Sequence, residues 1–162
     1  MWMGVLTDGG LWHGLEGELI KHFNVRDGLG IRMLQPAGLE VAFLSGGGGG
    51  ATEACARQLG LLRCLVGAKD KLVALASLRQ RLGVAAEHKV CVGDDVNDLA
   101  LQDGVGLLVA TVGAVAPFRR RADAVLLHNS GHGAVRELAD QLLQACGLWA
   151  QICRDGLRDR DD

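Results

Sequence analysis

Tyrosine is absent from the sequence and proline occurs only twice. No stretch offers eighteen uninterrupted apolar residues, and no basic region followed by a signal-like apolar run stands at the N-terminus, so neither membrane insertion nor export is read from the chain. Charge of one sign is also missing: 17 basic residues face 19 acidic ones, for a formal charge of −2, which leaves no electrostatic footprint for nucleic acid. The short basic run Arg119-Arg120-Arg121 reads as a solvated helix face. The five cysteines, Cys55, Cys64, Cys91, Cys146 and Cys153, have no Cys-x-x-Cys spacing. Their odd, scattered arrangement excludes a disulfide framework and a thiolate metal site, and points to a reducing cytosol and a cytoplasmic location.

What remains is the composition of an ordinary globular domain, with 162 residues, 49% hydrophobic and 22% charged. That is enough chain to bury a sizeable core. The 24 glycines concentrate between apolar runs, as expected where strands end in tight loops. No internal repeat or domain boundary is visible.

Residues 1–8 are apolar up to a polar end and read as the tail of a strand entering a loop. Two short runs around a glycine-rich turn predict a β-hairpin over about 9–24. Its Leu11, Trp12, Ile20 and Phe23 are more apolar surface than such an element buries alone, so it is expected to pack on another surface or a second subunit. A helix is predicted over 27–34 with Leu29 or Gly30, Ile31 and Leu34 facing inward. A strand follows at 39–44, ending at Ser45 and five glycines, 46–50. That glycine run is either a floppy linker or a βα loop whose N–H groups face an anion. Next come a helix at 51–59, a strand at 61–66 and a helix from about 69 to 82 with Leu72, Leu75, Leu78 and Leu82 on one face. Lys71 falls in its first turn, where the helix dipole gives a cation nothing. It is either a solvated surface lysine or a group that neutralises a phosphate.

The densest chemistry lies in Val90-Cys91-Val92-Gly93-Asp94-Asp95-Val96-Asn97-Asp98. A strand-like run ends in glycine, and three carboxylates and an amide follow. Ligands bind past the carboxyl ends of strands in open α/β sheets, and crowded carboxylates repel unless a cation sits among them. The plainer alternative is a strand-to-helix turn in which Asp95 or Asn97 caps the next helix. Further on, a helix at 97–102, strands at 106–110 and 124–127, a helix at 115–121 and a helix at 133–147 complete the pattern. Alternating strands and helices with short connections predict a doubly wound α/β domain with a parallel sheet and a hairpin insertion. It should occupy 1–150, with 151–162 a charged, frayed tail.

These motifs together resemble the haloacid-dehalogenase-like superfamily, and within it the small capless 3-deoxy-D-manno-octulosonate 8-phosphate phosphatases. The markers are Gly4-Val5-Leu6-Thr7-Asp8-Gly9, Phe23-Asn24-Val25-Arg26-Asp27-Gly28, Ser45, Lys71, the Asp-rich turn and Gly133-Ala134-Val135-Arg136-Glu137. The domain is also similar to one attached to some acylneuraminate cytidylyltransferases. The resemblance implies a Rossmannoid fold without a cap and a magnesium-dependent phosphatase working through a phospho-aspartyl intermediate in lipopolysaccharide biosynthesis. It implies Asp94 as the direct metal ligand, with Asp98 and Asp95 supporting. Ser45, Gly46, Gly47, Lys71 and Asn97 would hold the phosphoryl group, and Arg26 would lie near a phosphorylated sugar acid. It further implies a homotetramer assembled through the hairpins.

Matched residue by residue, however, the nucleophile position falls on Met1 and the acid/base position on Met3. A thioether has no proton to exchange and does not suit magnesium. Asp8, five residues past Met3, lies beyond the loop's turn and is a poor surrogate. Gly47 and His132 stand where many relatives carry arginine. In the family about half a dozen apolar residues precede the nucleophile and form a central strand. Here that first central strand is expected to be truncated, with residues 1–6 forming a stunted strand, the hairpin or a neighbouring subunit filling the gap, or the sequence being an incomplete version of the natural product. The sequence therefore predicts a degenerate phosphatase homologue with weak metal or phosphate binding. An active sugar-acid phosphatase and an oligomeric structural module are the alternatives.

Overall fold

Apolar runs too short for helices alternate with amphipathic stretches along the chain, and the computed structural model, which describes residues 3–17 and 19–157, folds them as an α/β domain. The strands are β1 (Trp12–His13), β2 (Leu19–Ile20), β3 (Ala42–Leu44), β4 (Arg63–Leu65), β5 (Val90–Gly93), β6 (Leu107–Ala110) and β7 (Ala124–Val125). Between them run α1 (Met3–Leu6), α2 (Val25–Leu34), α3 (Ala51–Gln58), α4 (Lys71–Leu82) and α5 (Ala116–Arg119), with α6 (Ala134–Ala145) and α7 (Trp149–Asp155) closing the chain. Two 3-10 segments, Ala86–His88 and Val96–Gly104, flank β5. No helix of the described residues is long and apolar enough to cross a membrane.

β1 and β2 pair antiparallel, giving the expected hairpin. Phe23 packs against the core, while Trp12 and Ile20 stay 69% and 60% exposed. The five remaining strands pair in parallel, as a βαβ alternation requires, but they form two sheets. One is β3–β4 and the other β5–β6–β7. The stunted strand expected at the N-terminus is corrected: residues 3–6 are a helical turn. It buries Val5 and Leu6, and the Gly131 amide donates to the Val5 carbonyl at 2.8 Å. Neither α1 nor the hairpin pairs with either parallel sheet, although α1 packs beside β5 with Val5 and Leu6 in the shared core.

Around the gap, α2 packs on α6 and α4 packs on the Val96–Gly104 segment. The first crossing is close because a Cβ at Gly30 would lie 3.0 Å from the Arg136 Cα. Gly30 and Ile31 therefore face inward and Leu29 is exposed. The helix α2 begins two residues earlier than its apolar pattern suggests, because Asn24 accepts the Arg26 amide at 2.8 Å as an N-cap. On α4 the inward face is Lys71, Leu75 and Leu78, at i, i+4 and i+7, and Leu72 is 52% exposed. Lys71 takes the inner position of the first turn because Asp98 stands opposite it.

The chain does not fray at 151. The helix α7 continues it, and Trp149, Ile152 and Leu157 pack on Met33, Leu34, Ala139 and Leu143. Their apolar side chains lie among charged neighbours, which hides the face in composition. Residues 158–162 lie outside the described residues. Cys91 behaves as a buried hydrophobe, its thiol pushed up to about 11 by burial.

Candidate active site

Strands β3 and β5 end at the same pole, and an open cleft of about 830 Å³ lies there. Ser45, Gly46 and Gly47 line it from β3, Asp94, Asp95 and Asn97 from β5, and Lys71 from α4. Seven residues scattered over more than fifty positions of sequence thus converge at one mouth.

The best-organised part is the Asp-rich turn. Asp98 is fully buried and accepts a hydrogen bond from Lys71 Nζ at 2.9 Å. Its other oxygen accepts the amides of Asp94 and Asp95 at 3.1 and 3.3 Å. Burial pushes the Asp98 carboxyl up to about 6 against those bonds, and burial also lowers the Lys71 ammonium. The turn can close this tightly only on glycine, since a Cβ at Gly93 would fall 2.7 Å from Phe118 Cζ and 2.8 Å from Asp98 Oδ2. The Val115 amide then fastens the Asp94 carbonyl at 2.9 Å.

The three carboxylates consequently have different tasks. Asp98 is a clamp on the loop. Asp95 is exposed and caps the Val96–Gly104 segment, accepting the Val96 amide at 2.6 Å. That is the plainer of the two roles the sequence allowed for it. Asp94 alone points a half-buried carboxylate into the cleft, steadied by Ser130 Oγ at 3.3 Å. Ser130 in turn meets Thr111 Oγ at 3.1 Å. Burial raises the Asp94 carboxyl against the hydrogen bond from Ser130.

The glycine run is divided in use. Gly46 and Gly47 line the cleft, and the Gly47 amide turns to Ser45 Oγ at 3.2 Å. The far end is structural, because the Gly50 amide donates to Glu53 at the start of α3, at 3.3 Å. Arg26 is exposed in the first turn of α2 and does not line the cleft. Asp8 is exposed too, bound to the Gly10 amide at 2.8 Å, and is not part of the lining. Met1 lies outside the described residues, and Met3 opens α1.

Sequence reasoning missed Lys21, which enters the cleft from the end of the hairpin; a Cβ on Gly47 would stand 3.9 Å from its Nζ. Burial lowers its ammonium. A lysine after an exposed hairpin carries no sequence signal of this placement. Missed as well was the reason two of the marker motifs occur together. Asp27, fully buried, accepts the amides of Gly133 and Arg136 at 3.2 and 2.9 Å and so caps α6, while Asn24 Nδ2 donates to the Gly131 carbonyl at 3.2 Å.

Among the described residues, no group of three or more His, Cys, Asp or Glu side chains could cage a metal ion. Three carboxylates line the cleft: Asp70, which accepts the Val73 amide at 3.1 Å, Asp95, which caps the Val96–Gly104 segment, and the half-buried Asp94 beside Ser130. A hard divalent cation accepts such a site when water and a phosphate oxygen fill the remaining positions. Ser45, the Gly46–Gly47 loop and Lys71 provide the donors and charge for that phosphate. The arrangement can orient and neutralise a phosphate monoester.

Comparisons with known proteins agree with this geometry. A haloacid dehalogenase-like hydrolase family matches residues 57–138. The 3-deoxy-D-manno-octulosonate 8-phosphate phosphatase KdsC of Salmonella typhi is 41% identical over 144 residues, covering 89% of this chain and 77% of that protein. Among solved structures, the cobalt-bound phosphatase from Haemophilus influenzae superposes with a TM-score of 0.87 at 39% identity, over 90% of this chain and 85% of that one. The Moraxella catarrhalis phosphatase, in complex with magnesium, phosphate and KDO, has a TM-score of 0.87 at 31% identity, over 93% and 87%. The chain therefore belongs to the 3-deoxy-D-manno-octulosonate 8-phosphate phosphatase family of haloacid dehalogenase-like hydrolases.

Proposed function

We propose that this chain is a degenerate member of its family: it keeps a cleft that binds a divalent cation and phosphate weakly, and it does not turn over phosphate esters by the phospho-aspartyl route. The observation that carries the reading is the division of labour in the Asp-rich turn, where Lys71 and Asp98 hold a loop that presents the half-buried Asp94 to the cleft. A covalent phosphoryl intermediate needs a second carboxylate opposite it, and the positions matched to nucleophile and acid/base are Met1 and Met3. Loss of the nucleophile is not repaired by leaving its partners in place. The natural ligand class is a phosphorylated sugar acid, as the names of the relatives suggest. Calorimetric titration of magnesium and inorganic phosphate tests this. Binding should be weak, should require both ions together, and should vanish in Asp94→Asn but persist in Asp95→Ala. Equal binding by wild type and Asp94→Asn would remove Asp94 from the site.

The hairpin supports a second role, self-association. Leu11, Trp12, Leu15 and Ile20 are all more than half exposed on one small element, more apolar surface than a hairpin leaves in water without a partner. A homotetramer formed through this surface should dissociate on Trp12→Glu in size-exclusion chromatography. An unchanged elution volume would place the contact elsewhere.

A further inference from the structure

Exposure alternates along the chain from β2 onward: Leu19, Lys21 and Phe23 are partly buried, and Ile20 and His22 are exposed. That is the period of two of an extended segment, and it puts Lys21 on the same side as two apolar residues. Phe23 packs against the core and anchors the segment. A lysine on such a face loses water from its charge and gains nothing unless its ammonium meets an anion. Lys21 carries that ammonium into the cleft, where burial lowers it with no carboxylate of the described residues to offset the loss.

The three lysines lining the cleft are not equivalent. Lys69 is exposed, and Lys71 is buried and bonded to Asp98 at 2.9 Å. Lys21 is half-buried and comes from the hairpin side. Without it the lining would set two lysines against Asp70, Asp94 and Asp95, an unfavourable balance for any anion. Its Nζ stands 3.9 Å from the place that a Cβ would take on Gly47, and Ser45 Oγ stands 3.6 Å from the same place. An ammonium and a hydroxyl thus border one small space, each about 1 Å beyond the length of a charge-assisted hydrogen bond to its centre. The loop beneath that space is held in position. The Gly67 amide donates to the Gly47 carbonyl at 2.8 Å and the Ala68 amide to the Ser45 carbonyl at 2.9 Å.

We propose that Lys21 binds the phosphoryl group of the cleft's ligand beside Gly47, so that a phosphate monoester dianion is held by Lys21 from the hairpin as well as by Lys71 from α4. This rests on the reading of the cleft as a phosphate site and adds to it a ligand class. A second ammonium favours a doubly charged monoester over a singly charged diester, because the attraction grows with the charge of the ligand. The hairpin then contributes a binding group to the cleft in addition to its exposed apolar surface.

The test titrates inorganic phosphate, methyl phosphate and dimethyl phosphate, at one fixed magnesium concentration, into the full chain and its Lys21→Gln, Lys21→Arg and Asp94→Asn variants. Lys21→Gln should weaken phosphate and methyl phosphate about tenfold, the usual worth of a hydrogen bond to a charged group. Dimethyl phosphate should change far less, and Lys21→Arg should restore most of the loss. The melting temperature of Lys21→Gln without ligand should not fall, which separates a binding role from a structural one. Phosphate binding that Asp94→Asn abolishes and Lys21→Gln leaves at the wild-type level would overturn the role of Lys21 and spare the cleft. Equal losses in Lys21→Gln and Lys21→Arg would also overturn it, since the charge would not be what counts. An absence of phosphate binding in the wild type would overturn the reading of the cleft, and the role of Lys21 with it.

Discussion

The two walls of the cleft differ in how much holds each in place. On the β5 side, Asp98 alone ties together Lys71 and two main-chain amides, the Asp94 carbonyl is fastened by Val115, and its carboxylate is steadied by Ser130 and Thr111. On the β3 side, Ser45 and the glycines have short-range bonds within their own loop and to residues 65–68, and α1 is anchored at its main chain by Gly131. A buried network fully supplied with partners keeps its geometry. Among the described residues β3 has one strand partner, β4, whereas β5 belongs to a three-stranded sheet. On the function proposed above, the β5 wall supplies groups that bind a cation and a phosphate.

The contrast can be broken at several points. The largest effect is expected from Lys71→Ala, which leaves Asp98 as a buried charge without its cation and should cost about 3–5 kcal/mol in urea unfolding. A cost under about 1 kcal/mol would show that the pair does not anchor the wall. Gly93→Ala should follow at about 1–3 kcal/mol, since its methyl would press on Phe118 and Asp98. It should also weaken phosphate binding by moving the Asp94 loop, whereas a purely local packing loss would leave binding intact. Asp27→Ala removes the acceptor for two amides of α6 and should cost about 1–2 kcal/mol, the usual worth of a cap. Because it braces the molecule behind the cleft, magnesium and phosphate binding should be unchanged.

The smallest expected effect is a change of slope at acid pH. With its carboxyl raised to about 6 in the folded chain, Asp98 binds a proton more readily folded than unfolded. Its contribution to stability is therefore present at low pH and is lost as pH rises from about 4 to about 6. Unfolding free energies of wild type and Asp98→Asn, measured across that window, should differ in slope with wild type falling more steeply. Parallel curves would mean that Asp98 stays ionised throughout.

Much of this was legible in residues 90–98, where a Val-rich run, a glycine and three carboxylates located the strand end and the cleft. Periodicity also placed α6 and the hairpin. What it could not separate was Asp94 from Asp95 and Asp98, because their roles depend on which oxygen meets which amide after folding. The inward turn of Lys71 was obscured by its place in an otherwise leucine-bearing face, where Leu72 looked the better core residue. The helical turn at 3–6 went unforeseen because Gly4-Val5-Leu6 favours neither helix nor strand strongly, and its state is decided by burial beside α6. The partition of the sheet followed from the same cause: strands were recognisable one by one, but pairing depends on a neighbour that the described residues do not supply.

The most direct test of the half-site account is release of inorganic phosphate from 3-deoxy-D-manno-octulosonate 8-phosphate and from an aryl phosphate, with magnesium present, beside the Asp94→Asn variant. The account predicts that the two proteins are indistinguishable and that neither exceeds the buffer rate. Robust magnesium-dependent turnover by the wild type, lost in Asp94→Asn, would contradict it.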